Sequence, residues 1–156
     1  MDAPRTDQRL SEQELAGSLR AAGLKATQPR LLVLRVLRER RHLSADQLFG
    51  ELEAQGTPLS RASVYNSLAA LLTHRLVMLT DAGPGRALYE SADRWHHHFV
   101  CRKCGAIQDV ACVVGERPCL TPMAVDGEID EAQVIFRGLC AQCAKRRKRS
   151  PANKRK

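Results

Sequence analysis

Two Cys-x-x-Cys pairs, Cys101-Arg102-Lys103-Cys104 and Cys140-Ala141-Gln142-Cys143, restrict what this chain can fold into more than any other feature. Each pair sets two thiols on one turn of backbone. Four thiolates complete the tetrahedral shell that zinc takes in structural sites, with no position left for a reacting water. The pattern therefore predicts structural Zn2+ at Cys101, Cys104, Cys140 and Cys143. Gly105, directly after the first pair, suits a tight metal turn. For the pairs to share one ion, the strands between them are expected to fold back as a hairpin-like sheet. Redox-active pairs and plain buried cysteines are the competing readings. A thiol oxidoreductase would set its pair beside a βαβ unit, and neither pair has one. Cys112 and Cys119 fall outside the pattern and read as a core thiol and a loop thiol, with a thiol switch as the alternative.

Composition supports metal chemistry for these cysteines. No apolar run approaches the ~18 residues of a membrane span, and Met1–Leu10 has no apolar core of a signal peptide. The expectation is a cytoplasmic protein without a membrane partner, in a compartment where stable disulfides are rare. The chain of 156 residues is 44% hydrophobic but only 4% aromatic, so its core must be Leu, Val and Ala. The net charge of +8 is concentrated at one end. Eight of the 25 Lys and Arg lie within residues 145–156, and the remaining 17 equal the 17 Asp and Glu. This basic tail is expected to be disordered and to attract phosphate without sequence preference; a merely solubilising end is the bland alternative.

The first 80 residues carry successive helix signals. Ser11-Glu12-Gln13-Glu14 and Ser44-Ala45-Asp46-Gln47 are capping boxes, and Gly23 suits the left-handed position that ends a helix. Thr27 is placed to cap a second helix with Pro29 in its first turn. Leu31, Leu34 and Leu37 give that helix an apolar face. Ser60 starts a fourth helix carrying Val64, Leu68, Leu71 and Leu72. Two short strands follow, 76–80 and 87–90, around the turn signal Gly83-Pro84-Gly85. Helices followed by a hairpin is the order of a winged helix-turn-helix, which would present the fourth helix to a DNA major groove. On that helix Arg61, Ser63, Tyr65 and Asn66 lie off the apolar stripe and offer groups that read base edges or phosphates. Further strand-like runs occupy 107–114 and 132–139. The fold class expected is α+β: a winged-helix domain over 1–90, a small α/β domain with the zinc over 91–144, and the tail over 145–156.

His96-His97-His98 stands directly before the first cysteine pair. In a strand, His96 and His98 share one face, so they can hold one ion together. Imidazole with carboxylate suits divalent Fe, Mn or Zn. Glu90 and Asp109 are candidate carboxylates, and His42 lies just before the Ser44 cap.

In combination these segments resemble the ferric uptake regulator family. The carriers are Gly-Leu-Lys-Ala-Thr-Gln-Pro-Arg (23–30), His-Leu-Ser-Ala-Asp-Gln-Leu (42–48), Ser-Arg-Ala-Ser-Val-Tyr (60–65), Gly-Arg-Ala-Leu-Tyr-Glu (85–90) and His-His-His-Phe-Val-Cys-Arg-Lys-Cys-Gly (96–105). Residues 109–120 and 129–143 are similar to its actinobacterial FurA- and CatR-like branch, whose members repress catalase-peroxidase genes. The resemblance implies a metal-dependent repressor that dimerises on an AT-rich inverted-repeat operator. It implies His42, Glu90, His96, His98 and Asp109 as ligands of a regulatory Fe2+ or Mn2+, with Zn2+ the alternative and a zinc- or manganese-responsive uptake regulator the alternative function. It also implies Lys25 in the minor groove and Tyr65 in the major groove. The chain departs from the pattern at Asn66, where many relatives have Arg. Residues 130–136 lack the His of a further metal site, and Glu90 stands where some peroxide sensors have Asp.

An enzyme is the reading from another class. The chain offers no HExxH, nucleophile elbow or phosphate loop, so no catalytic residue and no small-molecule substrate is expected. A zinc-stapled interaction module would leave the capped helices and the wing without a role.

Overall fold

The computed structural model describes residues 11–83, 85–114, 124–129 and 132–149, in two compact units, Met1–Asp93 and Arg94–Lys156. Cys119 and the end of the basic tail lie outside the described residues. No described helix is long and apolar enough to cross a membrane.

The first unit opens with helices α1 (Glu12–Ala21), α2 (Gln28–Arg40), α3 (Ala45–Ala54) and α4 (Arg61–Thr73). Both expected capping boxes form. Ser11 and Ser44 accept the N–H of Glu14 and Gln47, whose side chains accept the N–H of the cap in return. The backbone N–H of Ser11, and then its hydroxyl, hold the Glu14 carboxyl below its usual range. Ser60 caps α4 by accepting the N–H of Ser63 at 3.1 Å. Thr27 precedes α2 but makes no side-chain capping bond. Pro29 removes one of the two N–H groups a cap hydroxyl can serve, and the Arg30 N–H takes no bond from Thr27.

Three helices end alike. Gly23, Gly56 and Arg75 adopt φ of 79°, 69° and 57°. Their N–H groups reach back to Arg20, Glu53 and Leu72, while the next residues reach Leu19, Leu52 and Leu71. These paired bonds satisfy the last helical carbonyls and reverse the chain. Glycine meets that backbone demand twice, and Arg75 meets it despite its Cβ.

The helices enclose a core in which Leu19, Leu34, Leu37, Leu48, Leu52, Val64, Leu68 and Leu71 are almost fully buried. Each such side chain stabilises the fold by about 1.5–3 kcal/mol through removal from water. Leu71→Ala is expected to cost about 2–5 kcal/mol, seen as a lower denaturant midpoint at constant slope. A loss under about 1 kcal/mol would mean that the site collapses around the missing atoms.

The hairpin β1 (Val77–Asp81) and β2 (Ala87–Ser91) completes this unit, antiparallel with Met78 opposite Glu90. Helices followed by this wing is the winged helix-turn-helix order. Strand alternation that buries Leu88 also buries Glu90, two positions on. Leu43 exchanges two backbone hydrogen bonds with Tyr89, at 3.0 and 2.8 Å.

The second unit is a three-stranded sheet ordered β4-β3-β5, with β3 (His96–Cys101), β4 (Ile107–Ala111) and β5 (Ile135–Gly138), followed by helix α5 (Ala141–Arg149). Both outer strands are shorter than the runs 107–114 and 132–139 suggested. β3 and β4 are antiparallel across the first cysteine turn. Gly105 takes φ of 71° there and donates to the Cys101 carbonyl at 2.9 Å. The expected fold-back into a hairpin-like sheet is not what joins the knuckles. β5 runs parallel to β3, with Gly138 beside Cys101. Parallel strands end on the same side, so the chain leaving β5 meets the turn leaving β3.

The sequence reading also placed the start of the basic tail wrongly, because α5 continues through Arg149. Ala, Gln, Lys and Arg are all good helix formers, and the second cysteine pair fixes the first turn.

Candidate metal centres and nucleic-acid helix

The four knuckle cysteines converge. One sulfur from each lies within 4.8 Å of all the others, and none is in a disulfide. Cys104 Sγ and Cys140 Sγ are 3.7 Å apart. In a zinc tetrahedron with Zn–S near 2.3 Å, neighbouring sulfurs lie about 3.8 Å apart, whereas a disulfide needs about 2.05 Å. The residues present thus fit a four-thiolate ion of zinc's size. The backbone adds to the fit: Cys140 N–H donates to Cys101 Sγ at 3.3 Å, and the Cys140 carbonyl accepts the N–H of Ala144 to begin α5. The second pair therefore sits on a helix N-terminus, where anionic sulfur is favoured.

These contacts split the thiols. The Cys140 N–H and then the Cys104 N–H pull the Cys101 thiol down to about 6. Burial, and then hydrogen bonding with Cys140, Cys104 and Cys101, pushes the Cys143 thiol up to about 12. In the metal-free fold the Cys101 contribution to stability is complete above its unfolded value near 9 and is lost as pH falls through about 6. The Cys143 contribution has the opposite sign, present below about 9 and lost as pH rises through about 12. Metal loading must remove the Cys143 proton at any ordinary pH and the Cys101 proton only below about 6.

The histidine and carboxylate candidates fall in both units. In the first, Glu90 is 1% exposed; one of its oxygens accepts from the Thr80 hydroxyl at 2.8 Å, and the other lies 3.0 Å from His42 Nε2. His42 reaches it from a bend in which Arg41 and His42 take φ of 51° and 44°, values that side chains rarely adopt. The Leu43–Tyr89 bridge holds that bend against β2. Thr80 escaped the sequence reading; two-residue alternation along the hairpin, carried from Glu90 to its diagonal neighbour, was the available signal.

In the second unit His98 lies opposite Asp109 in the β3–β4 register, and the rings of His96 and His98 are 4.7 Å apart. His96 Nδ1 donates to the Arg94 carbonyl at 2.9 Å, which in a neutral ring leaves the lone pair on Nε2. That nitrogen lies 3.5 Å from Asp109 Oδ1. Two acceptors face each other, a geometry that a proton or a cation resolves. His97, on the other face, meets Trp95 and Phe136 edge-on.

On α4, Tyr65 and Asn66 are exposed together, while Ser63 is half-buried and shares the cap with Ser60. Arg61 is exposed but occupied: it pairs with Asp46 of α3 and lies 4.5 Å over the Phe49 ring. Lys25 is exposed in the loop before α2 and its carbonyl accepts from Arg30. Cys112, just past β4, is half-exposed and not a core thiol.

The profile described as the Ferric uptake regulator family matches residues 21–115. The chain is 42% identical over 134 residues to the Transcriptional regulator FurA of Mycobacterium tuberculosis, covering 84% of this chain and 90% of that protein. It is 42% identical over 125 residues to Ferric uptake regulation protein 1 of Mycolicibacterium fortuitum, covering 79% and 78%. The structure of the ferric uptake regulator from Pseudomonas aeruginosa with manganese is similar at a TM-score of 0.65 and 27% identity, covering 83% of this chain and 98% of that one. The chain belongs to the ferric uptake regulator family, whose members are transcriptional regulators and not enzymes.

Proposed function

We propose that this chain is an iron- or peroxide-responsive repressor in the cytoplasm, acting as a homodimer on an AT-rich inverted repeat and controlling oxidative-stress genes such as those for catalase-peroxidase. Residues 1–90 bind DNA and residues 91–144 carry the metal and dimer contacts. Structural Zn2+ takes the four knuckle cysteines. The regulatory ion, Fe2+ or Mn2+, takes His42, Glu90, His96, His98 and Asp109. On the DNA, Tyr65 and Asn66 meet base edges, Lys25 enters the minor groove, and Ser63 and Arg61 contact the backbone, Arg61 only after leaving Asp46.

The observation that carries the reading is His96 Nε2 at 3.5 Å from the Asp109 carboxylate, matched in the other unit by a buried carboxylate 3.0 Å from His42 Nε2. Each unit by itself offers imidazole and carboxylate, the donor set of a divalent first-row ion. An ion taken by these ligands would offset the charge of both carboxylates. If it binds one conformation of the chain more tightly than another, that difference alone can favour the one that binds DNA. The name of the Mycolicibacterium fortuitum relative, Ferric uptake regulation protein 1, supports iron.

The test is anaerobic binding to the promoter region of the protein's own gene. The protein carries only its tightly held metal, Fe2+ is titrated in, and a peroxide pulse follows. Iron is expected to switch binding on and peroxide to abolish it. Activation by zinc or manganese but not by iron would replace this reading with that of a metal-uptake regulator.

A further inference from the structure

Five of the eight Lys and Arg that make up the chain's excess charge lie on a helix that begins at the second cysteine pair. The arginines Arg38, Arg40 and Arg61 of the first unit are paired with Asp93, Glu51 and Asp46. On α5 the opposite holds: Lys145, Arg146 and Arg147 are exposed, and no carboxylate among the described residues pairs with them. The helix carries five successive cations, Lys145 to Arg149, and no acid. Consecutive helical residues are about 100° apart, so Lys145, Arg146 and Arg147 fan over more than half of the circumference. Like charges in this arrangement repel and disfavour the helix. What begins it is the Cys140 carbonyl, accepting from Ala144, and the buried Cys143 in its first turn. A linear polyanion would relieve the repulsion.

We infer that α5 is a second DNA contact, one that grips phosphates of the duplex beside the operator through Lys145, Arg146 and Arg147 and reads no sequence. It rests on the reading of the chain as a DNA-binding regulator, and assigns to the metal-binding unit a role in affinity beside that of the winged helix. Duplex DNA is the partner that fits: a line of phosphates one charge per ~1.7 Å of axis, met by exposed cations spread around a short rod. It also follows that the structural metal governs this contact, because loss of the knuckle frees the helix start.

The test compares the metal-loaded full chain with a Lys145→Gln, Arg146→Gln, Arg147→Gln variant. Glutamine keeps helix propensity and leaves the proposed metal and base-reading residues untouched. Operator duplexes with short and long flanks are titrated across salt. If each cation neutralises one phosphate, the slope of log affinity against log salt falls by about 3 per chain. Between 50 and 200 mM salt the wild type then loses about 40-fold more affinity than the variant per engaged chain, and over about 1,000-fold more for a dimer with both helices engaged. Longer flanks should tighten the wild type and leave the variant unchanged. Equal slopes and equal flank dependence would overturn the inference and leave the cations as solvated charge. Binding of the wild type to phosphatidylserine vesicles as tight as to DNA at equal salt, lost in the variant, would overturn it in favour of a membrane surface. A wild type that binds no operator under any metal condition would overturn the parent reading instead, a result distinct from both.

Discussion

Removing metal from the four-cysteine cluster, or substituting Cys101→Ser, is expected to unfold the second unit and leave the first one folded. The asymmetry follows from where the apolar side chains are. The continuous hydrophobic core runs from Leu15 to Val77, entirely within the first unit. Among the described residues of the second, only Val100, Cys101, Cys143, His97 and His98 are buried. A short sheet with so little core cannot offset its chain entropy, and small units of this kind depend on metals or partners. Structural zinc sites typically supply about 10–16 kcal/mol near neutral pH. Its loss should erase hydrogen-exchange protection across β3, β4 and β5 while α2 and α4 stay protected. Protected strands after complete chelation would show that something other than the metal holds this unit.

The second large effect is expected at Glu90. Glu90→Gln keeps the shape of the side chain and an oxygen for the Thr80 hydroxyl, but removes the charge that His42 faces. An amide can hydrogen-bond to a neutral imidazole as donor or acceptor, so His42 keeps a partner and thermal stability without the regulatory ion should barely change. Affinity for the regulatory ion should fall by about 100-fold or more, since weakening even the partners of metal ligands costs 10–100-fold. Metal-dependent DNA binding falls with it. A variant with unchanged stability and unchanged metal response would exclude Glu90 from the ligand set; a large loss of stability without metal would make it chiefly structural.

Sequence and structure agree most closely where local chemistry decides the outcome. Both capping boxes, the Ser60 cap, the left-handed Gly23 and the hairpin around residues 81–87 depend on neighbours a few positions away. Thr27 shows the limit of that logic: its type and place are right for a cap, yet its side chain makes no capping bond. The cysteine spacing announced a shared site and misjudged the route to it, since nothing local distinguishes β5 returning antiparallel from β5 running parallel beside β3. Arg61 is legible as an exposed cation on a helix, whereas its attachment to Asp46 and Phe49 depends on how α3 and α4 meet.

The sequence by itself determined the chemistry available: four thiols in two pairs, histidines spaced to share a strand face, capped helices before a wing, and a net charge gathered at one end. Only the tertiary structure decided which of these groups meet. It set two sulfurs at 3.7 Å through a parallel strand, buried Glu90 between Thr80 and His42, and carried α5 on past the second knuckle into the basic segment. The physical reason is range. Capping, turn formation and side-chain alternation act over a few residues of chain, while strand direction, burial and pairing across tens of residues depend on which packing covers the most apolar surface without stranding a polar group.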